Sequence, residues 1–293
     1  MISYFVVTKP LQYFNATNIS FNVEGKKILL IVDSFFDAST FFDNLLQLNY
    51  WNEILFLSDY KSAYKYLSKK IVKADNLYID SDYGFKKGIR LYSIKTKHIY
   101  VYEEGIGSYR NDLRSSQNGS RIVDFFLKII GVKEHFGGSR FVRGIYVYDH
   151  AKFNNLVPDF KKKLYHFPYT FHDNFSLLRN HLHFQIDYIK EVISKLPKDK
   201  IICVYLTSWK YNSGIESFIN ENKNKNEFWL LKPHPHLKSI DIPSQYFDYV
   251  MKANIFVEFF FSEIIREGIV FRVYHENSSA LQYFPEINEV LLP

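Results

Sequence analysis

The sequence predicts an α/β protein of two doubly wound, Rossmann-like domains that face each other across a cleft. In the first half, continuous apolar runs alternate with helical patterns, which is typical of a parallel sheet covered on both faces. Residues 151–172, with two prolines and a lysine run, break this alternation. A long amphipathic helix follows, and the alternation of strands and helices then restarts at residue 200.

Composition indicates a globular chain without a nucleic-acid partner. The 293 residues suffice for two domains, and 47% of them are hydrophobic against 23% charged. The net charge of +6 comes from 37 Lys and Arg against 31 Asp and Glu. Nucleic-acid binding requires a concentrated basic stripe, whereas the longest basic run is Lys161–Lys163.

The sequence predicts a cytoplasmic protein. Its single cysteine, Cys203, lies in an apolar run typical of a buried strand, and one cysteine forms no internal disulfide. The N-terminal apolar run is too short for a signal peptide and lacks a cleavage pattern. No window approaches ~18 consecutive apolar residues, so no transmembrane helix is predicted. Peripheral contact with the inner membrane face is left open.

The first predicted domain covers residues 1–172. Apolar runs at 2–8, 26–33, 53–58, 76–80, 97–104 and 141–149 are predicted strands. Helical patterns are predicted at 39–49, 60–73, near 84–94 and at 121–130. The order of these elements predicts strands joined by helical crossovers.

A linking helix is predicted over residues 173–198. Asp173 or Asn174 caps its start, and Pro197 limits its end. Its apolar residues recur at spacings of 3, 4, 4, 3, 4 and 3 and therefore share one face: Phe175, Leu178, Leu182, Ile186, Ile189, Ile193 and Leu196.

The second predicted domain covers residues 199–293. Strands are predicted at 200–208, 227–236 and 269–276, the second of which runs into a proline-rich loop. A helix is predicted at 213–225, and residues 254–268 start extended and become helical. Residues 277–284 are typical of the first turn of a helix.

Polar side chains follow several of the predicted strands at their carboxyl ends, where open α/β sheets bind ligands. These polar tails are at 102–105, 207–208, 232–236 and 277–279. A buried parallel strand needs no polar tail, so their recurrence indicates a binding site.

Glu103 and Glu104 end one strand and are followed by Gly105 and Gly107. Neighbours in an extended segment point to opposite sides, so one of the two carboxylates faces the cleft. A partly desolvated carboxylate has a raised pKa and can act as a general base. The glycines leave room for a ligand to approach the backbone. The alternative is a solvated pair of carboxylates at a strand end.

The segment 232–236 reads Lys-Pro-His-Pro-His. In an extended geometry fixed by the prolines, Lys232, His234 and His236 share one side and form a cationic edge for a phosphate. A metal-binding His-x-His pair and a structural proline-rich turn are the alternatives.

Ser278 and Ser279 open a helix, whose N-terminus is a ready anion site. Simple capping by Asn277 or Ser278 is the alternative. The chain contains no dinucleotide fingerprint, Walker A loop or nucleophile elbow.

The order of these motifs resembles bacterial sialyltransferases. Those enzymes share an acidic-acidic-Gly motif, a His-Pro motif and a serine pair, as this chain has at 103–105, 234–235 and 278–279. The opening TKPLQ is similar to the TPLQ-type opening of the lipooligosaccharide and capsule sialyltransferase family, with Lys9 as an extra residue. The related polysialyltransferases share these motifs.

The resemblance implies a GT-B fold and inverting, metal-independent transfer of sialic acid from CMP-sialic acid to a glycan hydroxyl, without a cofactor. It places Glu104 in the first, acceptor-side domain as general base and His234 in the second, CMP-sugar-binding domain as general acid. Ser278 and Ser279 would hold the leaving phosphate, with help from Lys232. Further substrate-binding candidates are Thr207, Ser208, Glu258, Gly105, Gln12, Asn15 and Pro235.

Two other functions are compatible with the sequence. One is a GT-B glycosyltransferase with another donor, such as a Kdo nucleotide. The other is a non-catalytic protein that binds nucleotides or carbohydrates. A homodimer is also left open, because an aromatic-rich surface can hold an interface.

Overall fold

The computed structural model of the chain describes residues 1–69, 73–113, 125, 127–129, 131–208, 211–237, 244–276 and 278–292. The chain divides into two compact units. Unit 1 comprises Met1–Ser34 and Ala38–Asn174, and unit 2 comprises Phe35–Asp37 and Phe175–Pro293. Each unit contains its own parallel sheet, so the prediction of two Rossmann-like α/β domains is confirmed.

Unit 1 contains a seven-stranded sheet in which all neighbouring strands pair in parallel. Its central strands are buried on both faces, which explains why they are continuously apolar. The order is β3-β2-β1-β4-β5-β6-β7, with β1 at Ile2–Val7, β2 at Lys26–Val32, β3 at Glu53–Leu57, β4 at Ala74–Ile79, β5 at Thr96–Tyr102, β6 at Gly144–Val147 and β7 at Lys163–His166.

Helices lie on both faces of this sheet. They are α1 at Pro10–Ser20, α2 at Ala38–Leu46, α3 at Tyr60–Leu67, α4 at Phe85–Ser93 and α5 at His150–Leu156, with a 3₁₀ helix at Ile106–Tyr109. Val6, on one face of β1, belongs to a core cluster that includes Ala63 of α3 and Phe153 of α5. Phe5, on the other face, packs against Trp51, which also contacts Tyr13 of α1.

Helix α1 was not predicted from the sequence. All of its residues are buried, including polar ones such as Gln12, Asn15 and Asn18. A helix that is buried all round has no solvent-facing side, so the periodic contrast between apolar and polar residues is missing. Pro10 stands at its first turn, where the absent N–H costs no hydrogen bond.

Aromatic rings form a ladder across one face of the first sheet. Phe5 stacks on Tyr78 at 4.5 Å, and Tyr78 stacks on Tyr100 at 5.1 Å. Further along, Tyr146 stacks on Tyr165 at 4.9 Å. Each stacked pair joins rings on two strands of the sheet, so part of the abundant tyrosine of this chain stabilises the sheet.

Unit 2 contains a five-stranded parallel sheet. Trp229 and Tyr274 pack at 4.7 Å in its core, where Cys203 is also buried, as predicted. The order is β10-β9-β8-β11-β12, with β8 at Ile201–Leu206, β9 at Glu227–Lys232, β10 at Tyr249–Val250, β11 at Phe271–His275 and β12 at Glu289–Leu291. Its helices are α6 at Phe171–Leu178, which starts at the end of unit 1, α7 at His183–Ser194, α8 at Gly214–Asn222 and α9 at Val257–Arg266, with 3₁₀ helices at Ser244–Tyr246 and Ser279–Tyr283.

The single linking helix predicted over 173–198 is wrong. The structure has two helices, α6 and α7, separated at residues 179–182, and Leu182 has the non-helical angles φ −108° and ψ 36°. The predicted apolar face is nevertheless buried from Phe175 to Leu196, with Ile193 half-buried. Because the apolar spacing continues through the break, the pattern alone did not reveal the turn.

Other predicted elements differ in extent. The proline-rich break at 151–172 contains most of α5, the strand β7 and the start of α6, and the short strand β12 was also not predicted. The strand predicted at 141–149 is shorter, because only Gly144–Val147 pairs with β5 and β7. Most of the helix predicted at 121–130, and the end of that predicted at 60–73, lie outside the described residues.

Candidate functional site

Each sheet has polar residues at its topological switch point. In unit 1 the strand order runs outward from β1 in both directions, and in unit 2 it runs outward from β8. Connections leaving the carboxyl ends of the strands on either side of such a point diverge, which opens a crevice for a ligand. Thr8 and Asp80 follow β1 and β4, whereas Thr207 and Glu276 follow β8 and β11.

Glu103 is fully buried and hydrogen-bonded within unit 1. Its Oε2 accepts hydrogen bonds from the Tyr109 hydroxyl at 2.6 Å and from the Tyr148 main-chain N–H at 2.9 Å. Its carbonyl accepts a bond from the Asn15 side chain at 2.6 Å. Burial, followed by the Glu103 charge, raises the pKa of Tyr109 well above its usual value, so the phenol stays a donor. Glu103 is thus a structural residue.

Glu104 has a different environment, because its side chain remains 25% exposed. Its Oε2 lies 3.7 Å from Lys9 Nζ, and its main-chain N–H donates to the Ser108 hydroxyl at 2.8 Å. Burial raises the pKa of the Glu104 carboxyl; the charge of Asp80 adds to the rise, while Lys9 and Lys87 oppose it. A reachable carboxylate with a raised pKa is suited to general-base chemistry.

Gly105 and Gly107 serve two different purposes. Gly105 has φ 109° and ψ −154°, a conformation essentially restricted to glycine. A Cβ at Gly107 would lie 2.9 Å from Glu104 Oε1, so the glycine makes room for that carboxylate. The sequence had indicated only that the bare turn admits a ligand.

Gln12 and Asn15 lie beneath the surface, with their amides engaged in internal bonds. Gln12 Oε1 accepts from the Thr8 main-chain N–H at 2.6 Å, and its Nε2 donates to Asp80 Oδ2 at 3.2 Å. Asn15 Oδ1 accepts from the Tyr148 hydroxyl at 2.9 Å. The structure therefore places both residues where they position the strand ends.

Asp80 is a site residue that the sequence analysis missed. It is buried directly after β4, where Tyr60 donates to its Oδ2 at 2.6 Å and Lys87 Nζ lies 3.4 Å from its Oδ1. The signal was present, because Asp80 ends an apolar run in the way that Glu103 and Glu104 do. Asp82 follows two residues later, but this pair matches none of the motifs that identified the other candidates.

His234 begins a turn in unit 2. Its main-chain N–H donates to the Thr207 hydroxyl at 2.8 Å, and its carbonyl accepts from the Leu237 N–H at 3.0 Å. Its Nδ1 accepts from the His236 N–H at 3.2 Å, which assigns the proton of the neutral ring to Nε2. The Pro235 carbonyl accepts a hydrogen bond from the Phe36 N–H at 2.7 Å. The extended backbone predicted for 232–236 is therefore wrong: the segment folds back as a turn.

Lys232 does not share a side with the histidines. It is buried at 3% exposure, and its Nζ donates to the carbonyls of Pro233 at 2.6 Å and Ala253 at 3.0 Å. Burial lowers the pKa of Lys232 to about 7, against the opposing charge of Glu258. Glu258 is itself buried in the first turn of α9. The structure thus buries both Lys232 and Glu258 inside unit 2, where the charge of Glu258 acts on the lysine.

The serine pair follows β11. The Ser278 N–H donates to His275 Nδ1 at 3.0 Å, and its hydroxyl oxygen accepts from the Ala280 N–H at 3.4 Å. Ser279 starts the 3₁₀ helix, so the predicted helical turn is confirmed. Asn277 lies outside the described residues. Thr207 is buried beside the His234 loop, and Ser208 follows it half-buried.

The described residues contain neither a membrane-spanning helix nor a cluster of metal ligands. Among the described residues, no helix is long and apolar enough to cross a membrane. Within that same part of the chain, no group of three His, Cys, Asp or Glu side chains is arranged around a common metal position. The His234 and His236 rings lie 5.3 Å apart, and the described part of the chain supplies no third such ligand there.

Alanine at the two glycines is expected to have contrasting effects. Gly105→Ala places a side chain at φ 109° and should lower the free energy of unfolding by about 1–3 kcal/mol. The Gly107→Ala methyl group is too close only to the end of the flexible Glu104 side chain, so stability should change by less than about 1 kcal/mol while that carboxylate moves. Urea unfolding and a crystal structure of each variant provide the measurement. An unmoved Glu104 carboxylate in Gly107→Ala would contradict the close approach.

Lys232→Met is expected to flatten the pH dependence of stability. In the wild type, the pKa of Lys232 falls from 10.5 to about 7 on folding. Between these values the unfolded chain binds a proton that the folded protein lacks, so stability rises with pH across this window. Lys232→Met removes that gain, which urea unfolding at pH 7, 8 and 9 will show. The exposed Lys26→Met is the matched control; equal slopes for wild type and Lys232→Met would refute the prediction.

Comparison with known proteins identifies the fold. No protein-family model and no curated protein sequence match the chain. The wall teichoic acid polymerase TagF, as a variant soaked with CDPG, matches 100% of this chain and 69% of its own with a TM-score of 0.55 and 11% identity. UDP-N-acetylglucosamine 2-epimerase from Rickettsia bellii matches 98% of this chain and 77% of its own with a TM-score of 0.56 and 13% identity. At such identities the likeness concerns the fold alone: paired Rossmann-like units of the GT-B class, as predicted.

Proposed function

We propose that this protein is a glycosyltransferase that uses a nucleotide-activated sugar. Two similar folds belong to TagF, soaked with CDPG, and to an epimerase named for UDP-N-acetylglucosamine. The observation that carries the proposal is Glu104, a reachable carboxylate with a raised pKa at the carboxyl edge of a Rossmann-like sheet. That position and that pKa suit a base that deprotonates an acceptor hydroxyl.

More narrowly, we propose an inverting, metal-independent sialyltransferase that uses CMP-sialic acid. The support is the ordered set of motifs in the sequence, each of which lies at the carboxyl end of a strand. The acceptor would be a sugar hydroxyl of a bacterial surface glycan, in lipooligosaccharide or capsule. The proposed site of action is the cytoplasm, with peripheral attachment to the inner membrane and a homodimer as subsidiary proposals.

In the proposed reaction Glu104 acts on the acceptor. Its carboxylate takes the hydroxyl proton as the acceptor oxygen forms a bond to the anomeric carbon of the donor. The transition state resembles an oxocarbenium ion, as in other glycosyl chemistry. A raised pKa brings the carboxyl closer to the working pH, so its carboxylate form is a stronger proton acceptor.

His234 acts on the departing phosphate in this proposal. The bond between the anomeric carbon and the phosphate oxygen breaks, and negative charge grows on CMP. Because Nδ1 accepts from the His236 N–H, the hydrogen of the neutral ring is on Nε2, and this Nε2–H is the donor proposed for the phosphate. The Ser278 and Ser279 hydroxyls, at the start of a 3₁₀ helix, are the further donors proposed for the phosphate.

Removing either proposed catalytic group is expected to abolish efficient transfer. Glu104→Gln and His234→Ala should each lower kcat by about a hundredfold or more, the usual scale for a general acid or base. The assay incubates CMP-sialic acid with a panel of galactosides and sialosides and identifies products by mass. Glu53→Gln, which changes an exposed glutamate paired with Lys26, is the matched control. Near-normal transfer by either catalytic variant would refute its assigned role.

Nucleotide binding distinguishes the proposed donor from the alternatives. We expect calorimetric titration to show CMP binding in preference to UDP and GDP, weakened at least tenfold in the double variant Ser278→Ala, Ser279→Ala by loss of phosphate donors. Preferred binding of UDP would exclude the sialyl donor. A Kdo nucleotide accepted in place of CMP-sialic acid would identify the other GT-B transferase. CMP binding without CMP release from any donor would identify a non-catalytic binding protein.

A further inference from the structure

Lys9 occupies a defined place at the start of α1. It precedes Pro10, the first residue of the helix, and its backbone is extended, with φ −162° and ψ 160°. The Lys9 carbonyl accepts the N–H of Gln12 at 3.0 Å, which joins the lysine to the first turn. Only 17% of its side chain is exposed, so the aliphatic stem is packed. The ammonium group therefore has a restricted position.

The Lys9 ammonium group contacts Glu104 in two ways. Its Nζ donates a hydrogen bond to the Glu104 carbonyl at 3.1 Å and lies 3.7 Å from the carboxylate Oε2. The first contact anchors the main chain at the end of β5. The second sets a positive charge beside the carboxylate, whose Oε1 is the atom that approaches Gly107.

The other charged or titratable groups around Glu104 do not replace Lys9. Asp80, after β4, carries a like charge that raises the pKa of Glu104. Lys87 of α4 lowers that pKa, yet its Nζ is 3.4 Å from Asp80 Oδ1, so its contact is with that carboxylate. Tyr102 of β5 is neutral, because burial raises its pKa well above the usual value. Among the described residues, Lys9 is the cation in ion-pair contact with Glu104.

We propose that Lys9 is a positioning residue for the proposed base: its ammonium group anchors the end of β5 and keeps the Glu104 carboxylate in place above Gly107. The inference rests on the proposed function insofar as Glu104 is the base. Lys9 is also the residue by which this chain departs from the TPLQ-type opening. The extra residue thus has a specific contact, instead of being a neutral insertion.

The charge of Lys9 favours the ionised form of Glu104 against burial and against Asp80. Loss of this charge therefore raises the pKa of Glu104 and leaves a smaller fraction of carboxylate at each pH near that pKa. A rise of one pKa unit, for example, reduces the ionised fraction about tenfold at a pH well below the pKa. The loss is recovered at higher pH, because the carboxyl group then ionises again. A merely structural role for Lys9 has no such pH signature.

The test measures the pKa of Glu104 directly. Carboxyl-labelled glutamate is titrated by ¹³C NMR, and the Glu104 signal is assigned by its absence in Glu104→Gln. Lys9→Met and Lys9→Gln remove the charge and should raise the pKa of Glu104, whereas Lys9→Arg should preserve it. Lys9→Gln is included because its amide retains a donor if the apolar variant fails to fold. Lys26→Met, which removes an exposed lysine from a pair with Glu53, is the matched control.

A second readout is the pH profile of kcat/KM. In Lys9→Met and Lys9→Gln the acidic limb of this profile should move to higher pH. The displacement should equal the rise in the pKa of Glu104 that NMR measures between wild type and variant. An unchanged pKa of Glu104, or a loss of kcat/KM that is equal at every pH, would overturn the proposal. If the pKa rises but the wild type transfers no sugar to any acceptor, the proposed function fails while the contact between Lys9 and Glu104 is upheld.

Discussion

The buried amides of α1 are the constraint on which the first unit depends. A buried amide that lacks a hydrogen-bond partner costs about 1–3 kcal/mol, so each must be matched within the fold. Gln12 forms hydrogen bonds with Thr8 and Asp80, while Asn15 forms hydrogen bonds with the Glu103 carbonyl and with Tyr148. The Asn18 amide donates a hydrogen bond to the Tyr169 carbonyl and accepts one from the Tyr169 N–H. One helix thereby holds the carboxyl ends of β1, β4 and β5 in a common arrangement.

This arrangement explains why Glu103 is buried whereas the neighbouring Glu104 stays partly exposed. Once Asn15 holds the Glu103 carbonyl, the Glu103 side chain enters the core, where Tyr109 and Tyr148 satisfy its carboxylate. Alternation along an extended chain then directs Glu104 the other way, towards Lys9. The first carboxylate stabilises the strand end, and the second stays 25% exposed, as the proposed base requires.

The second unit follows the same physical rule with different residues. Lys232 is too deeply buried to keep its ordinary pKa, and two carbonyl oxygens and the charge of Glu258 compensate its ammonium group. The backbone that follows it turns sharply, so that Thr207 and the His236 N–H hold His234 by its main chain and ring. A buried lysine thus supports the loop on which the proposed acid lies.

Much of the fold and part of the site were predictable from local patterns. Apolar runs such as 26–33 predicted strands of a parallel sheet, and the polar residues after them predicted where Glu104, His234 and Ser278 would lie. The same reasoning failed for α1, whose uniform burial removes the periodic signal, and for the break between α6 and α7, where the apolar spacing runs on. Asp80, like Glu104, is an acid close behind an apolar strand, but it belongs to none of the motifs by which the other candidates were identified.

The sequence by itself determined two alternations of strand and helix and the presence of acids, histidines and serines at strand ends. These properties are local, because periodicity and chain order are sufficient to define them. Only the tertiary structure decided which glutamate is buried, that Lys232 is internal, and that Lys9 meets Glu104 across 95 positions of sequence. Such contacts depend on how separate strands are ordered in the sheet, which no local pattern contains.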